Sequence, residues 1–327
     1  MAVACLLGPS SIHPLALWQG VLHLFGLSSE SLNQQALIVS AIRLPRVLLA
    51  ALTGAVLASC GAVLQGLFRN PLADPTLIGV SAGASAGASA MIVFGALFFD
   101  GFGVFAQGLP WVAVGAFLGG LLAALVVYRL ATSSNGTSVS TMLLAGIAIS
   151  SLAVAISSLL SYLADNDTLR RISLWQMGDL NGANWQRVAV GTAVMALLLP
   201  LFIRDGRALN AMLLGESEAR HLGIQVQWLK RRSIFLCALG VGISVAIAGM
   251  ISFVGLIIPH LVRLLVGPDH RYLLPASAVA GAILLVLADV IARVVMAPAE
   301  LPTGILTALL GVPFFVSLLI QQRRFAR

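Results

Sequence analysis

One serine in the sequence lies in a pattern that is typical of catalytic nucleophiles. Residues 79–83 fit the Gly-x-Ser-x-Gly pattern, and His260 or His270 could act as a base for Ser81. In hydrolases this pattern lies between a strand and a helix, whereas here small residues continue at helical spacing as far as Ser89. Close packing of membrane helices is therefore the preferred interpretation, and an intramembrane serine protease is the alternative.

The same two histidines are candidates for a second kind of chemistry. His260 and His270 are followed closely by Arg263 and Arg271. A neutral imidazole can ligate haem iron, and it can also form a hydrogen bond at a helix end or at a gate. The spacing of these residues leaves both interpretations open.

Charged residues inside apolar segments form the third group of candidates. Asp289 and Arg293 are separated by one helical turn, so they can pair on one face of a helix. Arg43 and Arg46 also share a helical face, at the end of an apolar run. Two cations at that position would attract an acidic partner or lipid phosphates.

Several catalytic motifs are absent from the sequence. The single lysine, Lys230, does not follow a glycine-rich loop, so the chain lacks a P-loop with which to hydrolyse ATP. No His-Glu-x-x-His pattern occurs, and the cysteines are too far apart in sequence to form a metal site. We therefore expect no enzyme activity, no metal site and no cofactor bound by this chain itself.

The composition indicates which kind of secondary structure carries these candidate residues. Of 327 residues, 59% are hydrophobic and 9% are charged, and the mean hydropathy is +1.00. Globular chains carry roughly 25% charged residues, so a water-soluble fold is excluded.

The apolar runs are continuous rather than alternating, which excludes a β-barrel. The net charge of +7 forms no long basic run, so nucleic acid is not an expected partner. The sequence predicts an all-α polytopic membrane protein with a single transmembrane domain over residues 1–327.

Nine membrane-spanning segments are predicted from the apolar runs. They lie near residues 47–67, 76–98, 110–130, 142–164, 186–203, 233–250, 253–267, 274–296 and 303–321. The seventh segment is short and contains Pro259, so we expect a tilted or broken helix there.

The basic residues give the orientation of these segments. Most of the 19 fall on one side, which is therefore cytoplasmic and includes the C-terminus. Residues 8–46 then lie in the periplasm and carry an apolar stripe that is typical of an interfacial helix. Residues 205–232 form the largest cytoplasmic loop, predicted as two short helices that are separated at Gly215 and Gly223.

Several sequence runs resemble those of one known family. They are Arg43-Leu-Pro-Arg46, Gln65-Gly-Leu-Phe-Arg-Asn-Pro-Leu-Ala-Asp74, Leu77-Ile-Gly-Val-Ser-Ala-Gly83, Gly215-Glu216 with Ala219 and Leu222-Gly223, Phe253-Val-Gly-Leu-Ile-Ile-Pro-His260, Asp269-His-Arg271, and Glu300-Leu-Pro302 through Gly311-Val-Pro313. In this order, and over nearly the whole chain, they resemble the iron-chelate, haem and cobalamin (FecCD-type) permeases of ABC importers. The overall similarity is greatest to haem permeases.

The resemblance implies a type II ABC importer permease of ten transmembrane helices. The family has a complete first span where this sequence offers only seven residues before Gly8. It also implies a homodimer in the bacterial inner membrane, with two cytoplasmic ATPase subunits and a periplasmic substrate-binding protein as partners. The partner subunits would use the ATP, which agrees with the missing P-loop.

The resemblance also assigns roles to individual residues. Docking to the binding protein is implied for Arg43, Arg46 and Arg293, and coupling to the ATPase for Gly215, Glu216, Ala219 and Gly223. The substrate pathway or gate is expected at Ser140, Thr141, Met142, Arg170, Arg171, His260 and His270. Among these, Arg170 and Arg171 could bind the propionates of haem. The two histidines match positions found across the family, so they do not indicate haem.

We therefore expect import of an iron-containing compound by alternating access, with haem preferred to a siderophore or cobalamin as the cargo. The alternatives from other classes are the protease at Ser81 and His260 and a secondary antiporter. Co-purification of an ATPase subunit would exclude both of them.

The predicted orientation is testable by cysteine labelling. In a variant without native cysteines, Ser29→Cys should react with an impermeant maleimide from the periplasm. Ser217→Cys should react only from the cytoplasm, because the positive-inside tendency places that loop there. The reverse pattern of labelling would overturn the orientation.

Overall fold

Apolar helices make up most of the chain, as the composition predicts. The computed structural model describes residues 1–7, 13–24, 33–99, 110–133, 136–178, 180–297 and 299–325. In chain order the elements are α1 (Ala2–Leu6), α2 (Pro14–Leu24), α3 (Gln34–Ile38), a π-helical turn (Val39–Arg43), α4 (Leu44–Phe68), a 3-10 turn (Pro75–Ile78), α5 (Val80–Phe99), α6 (Pro110–Ala131), β1 (Thr132–Ser133), β2 (Gly136–Thr137), α7 (Val139–Leu163), α8 (Asn166–Gln176), α9 (Trp185–Leu214), α10 (Glu216–His221), α11 (Val226–Ala248), α12 (Val254–Val266), α13 (His270–Val295) and α14 (Thr303–Phe325). Strands β1 and β2 pair antiparallel as a small hairpin.

Each predicted span corresponds to a helix. These helices are α4, α5, α6, α7, α9, α11, α12, α13 and α14. Within the described ranges, six helices are long and apolar enough to cross a membrane, and shorter apolar helices lie in α5, α12 and α14. A span needs about 20 residues, so α12, with 13 residues and an internal Pro259, is shorter than a full crossing. The helix is short but continues through Pro259, so it is not broken at that residue, and a tilt stays a prediction.

Helix α4 begins earlier than the sequence predicts. The π-helical turn joins it to α3, so that one helix of 35 residues runs from Gln34 to Phe68. At 1.5 Å per residue this helix is about 52 Å long, which exceeds the hydrocarbon core of about 30 Å. Residues 34–46 thus continue the same helix, and because the helix is longer than the core is thick, the start of the span near residue 47 stays a prediction.

Glycines let α4 approach two neighbouring helices closely. A Cβ atom at Gly54 would collide with the backbone of Gly281 in α13, and one at Gly61 would collide with the backbone of Gly255 in α12. Lipid tails are as apolar as most side chains, so helix association in a membrane relies on this kind of van der Waals contact. With α9 and α11 on its other sides, α4 is the most enclosed helix of the core.

The serine motif belongs to a packed helix. Ser81 lies in the first turn of α5 and does not follow a strand. Further along α5, Gly83 and Gly87 pack against the backbone of Gly119 and Gly115 in α6. The packing interpretation is confirmed, and this position lacks the strand-to-helix turn that the protease alternative requires.

The predicted cytoplasmic loop 205–232 is mostly helical. Helix α9 continues to Leu214, so the first of the two predicted short helices is the end of a span rather than a separate helix. The second predicted helix is α10, and the breaks at Gly215 and Gly223 occur as expected, both with positive φ. After the second break, α11 begins at Val226.

The segment 8–46 also contains helices. Helix α2 carries an exposed Trp18, as suits the interfacial helix that was expected, and the residues from Gln34 onward extend α4. Residues 8–12 and 25–32, where Ser29 lies, are outside the described residues.

Candidate functional site

Three arginines and two carboxylates meet at the N-terminal end of α4, and we call this group the arginine cluster. Its members are Arg43, Arg46, Asp289, Arg293 and Glu300. Nε of Arg46 lies 2.9 Å from Oδ1 of Asp289, and Nη1 lies 2.6 Å from Oε2 of Glu300. Because Asp289 is in α13 and Glu300 precedes α14, this one guanidinium joins three segments of the chain.

The other two arginines bind the end of α1. Arg43 Nη1 donates to two carbonyl oxygens of residues 4–7, at 2.8 and 3.0 Å, and Arg293 donates to the other two, each at 3.1 Å. Carbonyl groups at a helix C-terminus carry partial negative charge, so cations stabilise them. Arg293 Nε also lies 3.0 Å from Oδ2 of Asp289, which confirms the predicted ion pair within α13.

The arginines of this cluster are not free outward-facing cations. At most 7% of any of the three residues is exposed. Arg46 and Glu300 do line a small cavity of about 80 Å³. An acidic partner would have to compete there with the carboxylates of this chain. The role of these arginines in docking a binding protein stays a prediction.

A larger cavity, of about 480 Å³, lies between α5, α7 and α8, and we call it the hydroxyl-lined cavity. Its polar lining consists of Ser85, Ser157, Ser158, Ser161, Tyr162 and Gln176. Polar side chains on membrane helices usually face the protein interior or a water-filled path. The cavity is therefore the best candidate for a substrate pathway. The sequence analysis missed it, although three of its serines recur on one side of α7.

Helix α8, which borders this cavity, also carries two of the predicted pathway residues. Arg170 and Arg171 lie on α8 with exposed side chains, and the same helix contributes Gln176 to the cavity lining. Asp165 caps the helix by accepting a hydrogen bond from the Thr168 N–H at 3.2 Å. Hydrogen bonds from Thr168 hold the pKa of the Asp165 carboxyl below its usual value, so the cap remains ionised.

The three predicted gate residues lie in the first turn of α7. Ser140 and Thr141 are exposed, whereas Met142 is 1% exposed and packs into the core. Ser138 Oγ accepts hydrogen bonds from Thr141 N and Thr141 Oγ1, at 3.4 and 3.0 Å, and so caps the helix. Since Met142 faces inward, only the first two of the three gate candidates are placed to face a pathway.

His270 is the first residue of α13 and is held at the start of that helix by Asn210. It is fully buried, its backbone N–H donates to Oδ1 of Asn210 at 2.8 Å, and its Nδ1 lies 2.9 Å from the same oxygen. Hydrogen bonds from Arg271 and Asn210 hold the pKa of the Asp269 carboxyl well below its usual value. Asp269 therefore stays ionised as the cap of α13. These contacts favour the hydrogen-bonding interpretation of His270 over iron ligation.

His260 lies in α12 and contacts a different helix. Its ring meets Phe314 of α14 edge to face, with the centroids 5.9 Å apart. Its Nδ1 is buried and has no hydrogen-bond partner among the described residues. The structure thus gives the two histidines different neighbours, and it places neither one in the lining of the hydroxyl-lined cavity.

The predicted ATPase-coupling residues have unequal exposure. Ala219 is completely buried, and the half-buried Glu216 is held by Lys230, with Oε1 and Nζ 2.6 Å apart. Gly223, the last of the predicted residues, is exposed, and so are Glu218, His221 and Leu222, which were not predicted. The sequence analysis missed these three because the face that α10 turns outward depends on its contacts with α9 and α11.

The apolar helices and the polar cavity between them are typical of a protein that spans a membrane. The FecCD transport family matches residues 1–321 of the chain. The chain belongs to this family, so it is a multi-pass protein of the inner membrane and an ABC importer permease.

Relatives agree with this membership. The chain is 43% identical over 282 residues to the hemin transport system permease protein HmuU of Yersinia pestis, covering 86% of this chain and 83% of the relative. It is also 43% identical over 293 residues to the vitamin B12 import system permease protein BtuC of Salmonella typhi, covering 88% and 85% respectively.

A solved structure has the same fold. It is described as a metal-chelate type ABC transporter in an inward-facing conformation, with a TM-score of 0.79 and 34% identity. The match covers 94% of this chain and 100% of the other.

The arginine cluster should be a major source of stability. Arg46→Met removes one of the two arginines that pair with the buried Asp289, together with the arginine that pairs with Glu300, and breaking a buried ion pair costs about 3–5 kcal/mol. We expect a correspondingly lower free energy of unfolding for the purified protein in mixed micelles. The exposed Arg170→Met is the matched control and should change little.

A double-mutant cycle identifies the contact responsible. If the ion pair is the cause, the loss in Arg46→Met with Asp289→Asn should be smaller than the sum of the two single losses. Equal stability of Arg46→Met and the parent protein would contradict this view of the cluster.

Proposed function

We propose that this chain is the permease subunit that moves an iron-containing compound, with haem as first candidate, from the periplasm to the cytoplasm. The observation that carries the proposal is the hydroxyl-lined cavity with the exposed Arg170 and Arg171 on its neighbouring helix. Haem combines a flat apolar ring with two propionates. Adjacent guanidinium groups would bind these carboxylates by charge-assisted hydrogen bonds.

Cobalamin is the second candidate cargo. It is supported by the vitamin B12 permease, which is as similar to this chain as the hemin permease is. Its corrin ring carries amides rather than free carboxylates, so it would use the hydroxyl and amide groups of the cavity and gain little from Arg170 and Arg171. An anionic ferric siderophore would resemble haem in this respect.

Transport in this proposal is alternating access driven by partner subunits. Two copies of the chain bind two cytoplasmic ATPases, and a periplasmic binding protein delivers the cargo. The C-terminus lies in the cytoplasm, and the chain has no ATPase site of its own. ATP binding in the partners changes the relative stability of the inward and outward states, which moves the helices around the pathway.

The ATPases would bind the exposed surface of the α10 segment. Leu222 is 62% exposed at its tip, beside Gly223, where an added Cβ atom would meet no other group. An exposed leucine gains free energy when a partner covers it, because its apolar surface is removed from water. Ala219 supports this surface from within because it is completely buried.

Cargo identity is tested by uptake into proteoliposomes that contain the permease, its ATPase and its binding protein. We expect ATP-dependent uptake of haem, and a fall of about tenfold in the double variant Arg170→Ala with Arg171→Ala. The matched control is Arg204→Ala with Arg207→Ala, which alters two exposed arginines of α9. Uptake of cobalamin without uptake of haem would overturn the haem assignment.

Binding of the ATPase is tested by replacing the exposed Leu222 with a charged residue. Leu222→Asp should reduce co-purification of the ATPase about tenfold or more. The substitution removes an apolar side chain that would be buried in the complex and places a carboxylate against the surface of the ATPase. The matched control is Leu118→Asn in α6, another exposed leucine but one outside the loop. Normal recovery of the ATPase with the Leu222 variant would remove this surface from the interface.

A further inference from the structure

Lys230 is a buried lysine whose contacts lie between two functional segments. Only 2% of the residue is exposed, although it lies near the start of α11. Its Nζ donates to Oε1 of Glu216 at 2.6 Å and to the carbonyl oxygen of Thr137 at 3.2 Å. A buried ammonium group is costly unless it is paired and hydrogen-bonded, and both conditions are met here.

Two side chains of α11 form hydrogen bonds with the backbone of Thr137. Its carbonyl oxygen accepts from Lys230, and its N–H donates to Oε1 of Gln227 at 3.2 Å. Thr137 ends strand β2 and is followed directly by Ser138, the N-terminal cap of α7. The position of the first turn of α7 is therefore fixed through Thr137 to α11.

Glu216 connects the same ammonium group to α10. It lies in the first turn of α10, and its side chain is 31% exposed. Arg220 also approaches it, with Nη2 3.7 Å from Oε2, but this pair is solvent-exposed and contributes little. Lys230 thus contacts both Glu216 of α10 and Thr137, the residue that precedes the N-terminal cap of α7.

We propose that Lys230 is a positioning residue that transmits movement of α10 to the inner end of α7. This inference rests on the proposed function, in which the ATPase moves α10 and the exposed Ser140 and Thr141 face the pathway. When α10 is displaced, Glu216 draws the ammonium group with it, and the hydrogen bond to Thr137 carries the shift to the cap of α7. The gate residues and the docking segment then change together.

The side chain chemistry suits this task. An ammonium group has three donors around one atom, so it can bind Glu216 and Thr137 simultaneously while rotating about its stem. A neutral apolar replacement would keep most of the packing and lose both contacts. Glu216 would not be stranded without water, because part of its side chain is already exposed.

The test uses Lys230→Met in the complete complex with ATPase and binding protein, in a background without native cysteines and with Ser140→Cys as a reporter. In the parent complex, ATP should change the rate at which the reporter reacts with a maleimide. In Lys230→Met we expect that change to disappear and cargo uptake to fall about tenfold, while ATP hydrolysis continues. A purely structural role for Lys230 would not separate hydrolysis from the reporter in this way.

Two further variants complete the test. Arg129→Met, the control, removes an exposed cation at the end of α6, outside α10 and the first turn of α7, and should leave uptake and reporter response unchanged. Glu216→Ala breaks the same link from its partly exposed end, so it should reproduce the uncoupling even if Lys230→Met fails to fold.

The possible results are distinguishable. An unchanged reporter response in both Lys230→Met and Glu216→Ala would overturn the inference, as would parallel loss of ATP hydrolysis and uptake in both. A parent complex that transports neither haem nor cobalamin would instead contradict the proposed function, since the reporter response to ATP is measured without cargo.

Discussion

Helix α4 is enclosed by α9, α11, α12 and α13, and its contacts determine where the polar groups at its two ends can lie. Within a bilayer there is little hydrophobic force to hold helices together, so van der Waals contacts at Gly54 and Gly61 hold α4 against its neighbours. At one end of the helix this brings Arg46 to the carboxylate of Asp289. At the other end it brings Gln65 to the backbone of α12 and to Arg263, whose Nη2 donates to Gln65 Oε1 at 3.0 Å.

The two ends of the molecule satisfy their charges in different ways. At the arginine cluster the charges are buried and paired within the chain, and they hold several helices together. At α10 the buried Lys230 pairs with the partly exposed Glu216, and the neighbouring residues of this short helix are exposed. The first arrangement resists movement, because separating its groups leaves charges buried without partners. In the second arrangement Glu216 is partly exposed, so a bound partner can contact it. The buried side chain of Lys230 connects Glu216 to Thr137.

The parts of this structure that the sequence predicts are those set by local constraints. A membrane span needs a long apolar run, so the spans were recognisable, and the pairing of Asp289 with Arg293 follows from helical spacing. The partner of Arg46 did not follow, because Asp289 is 243 residues away. Lys230 and Thr137 are likewise 93 residues apart. Such contacts, and the serines that line the cavity, depend on which helices become neighbours, which no local pattern records.

The separation between Arg46 and its counter-ions also constrains how the protein enters the membrane. Chain synthesis at about 5–20 residues per second leaves an interval of roughly 10–50 s between the appearance of Arg46 and that of Asp289. A buried arginine without a counter-ion is unfavourable, because its charge is removed from water without compensation. During that interval the N-terminal end of α4 must therefore keep its guanidinium group among lipid phosphates or water. The buried ion pair of Arg46 can form only after α13 has been synthesised, so the arginine cluster is completed late in the assembly of this protein.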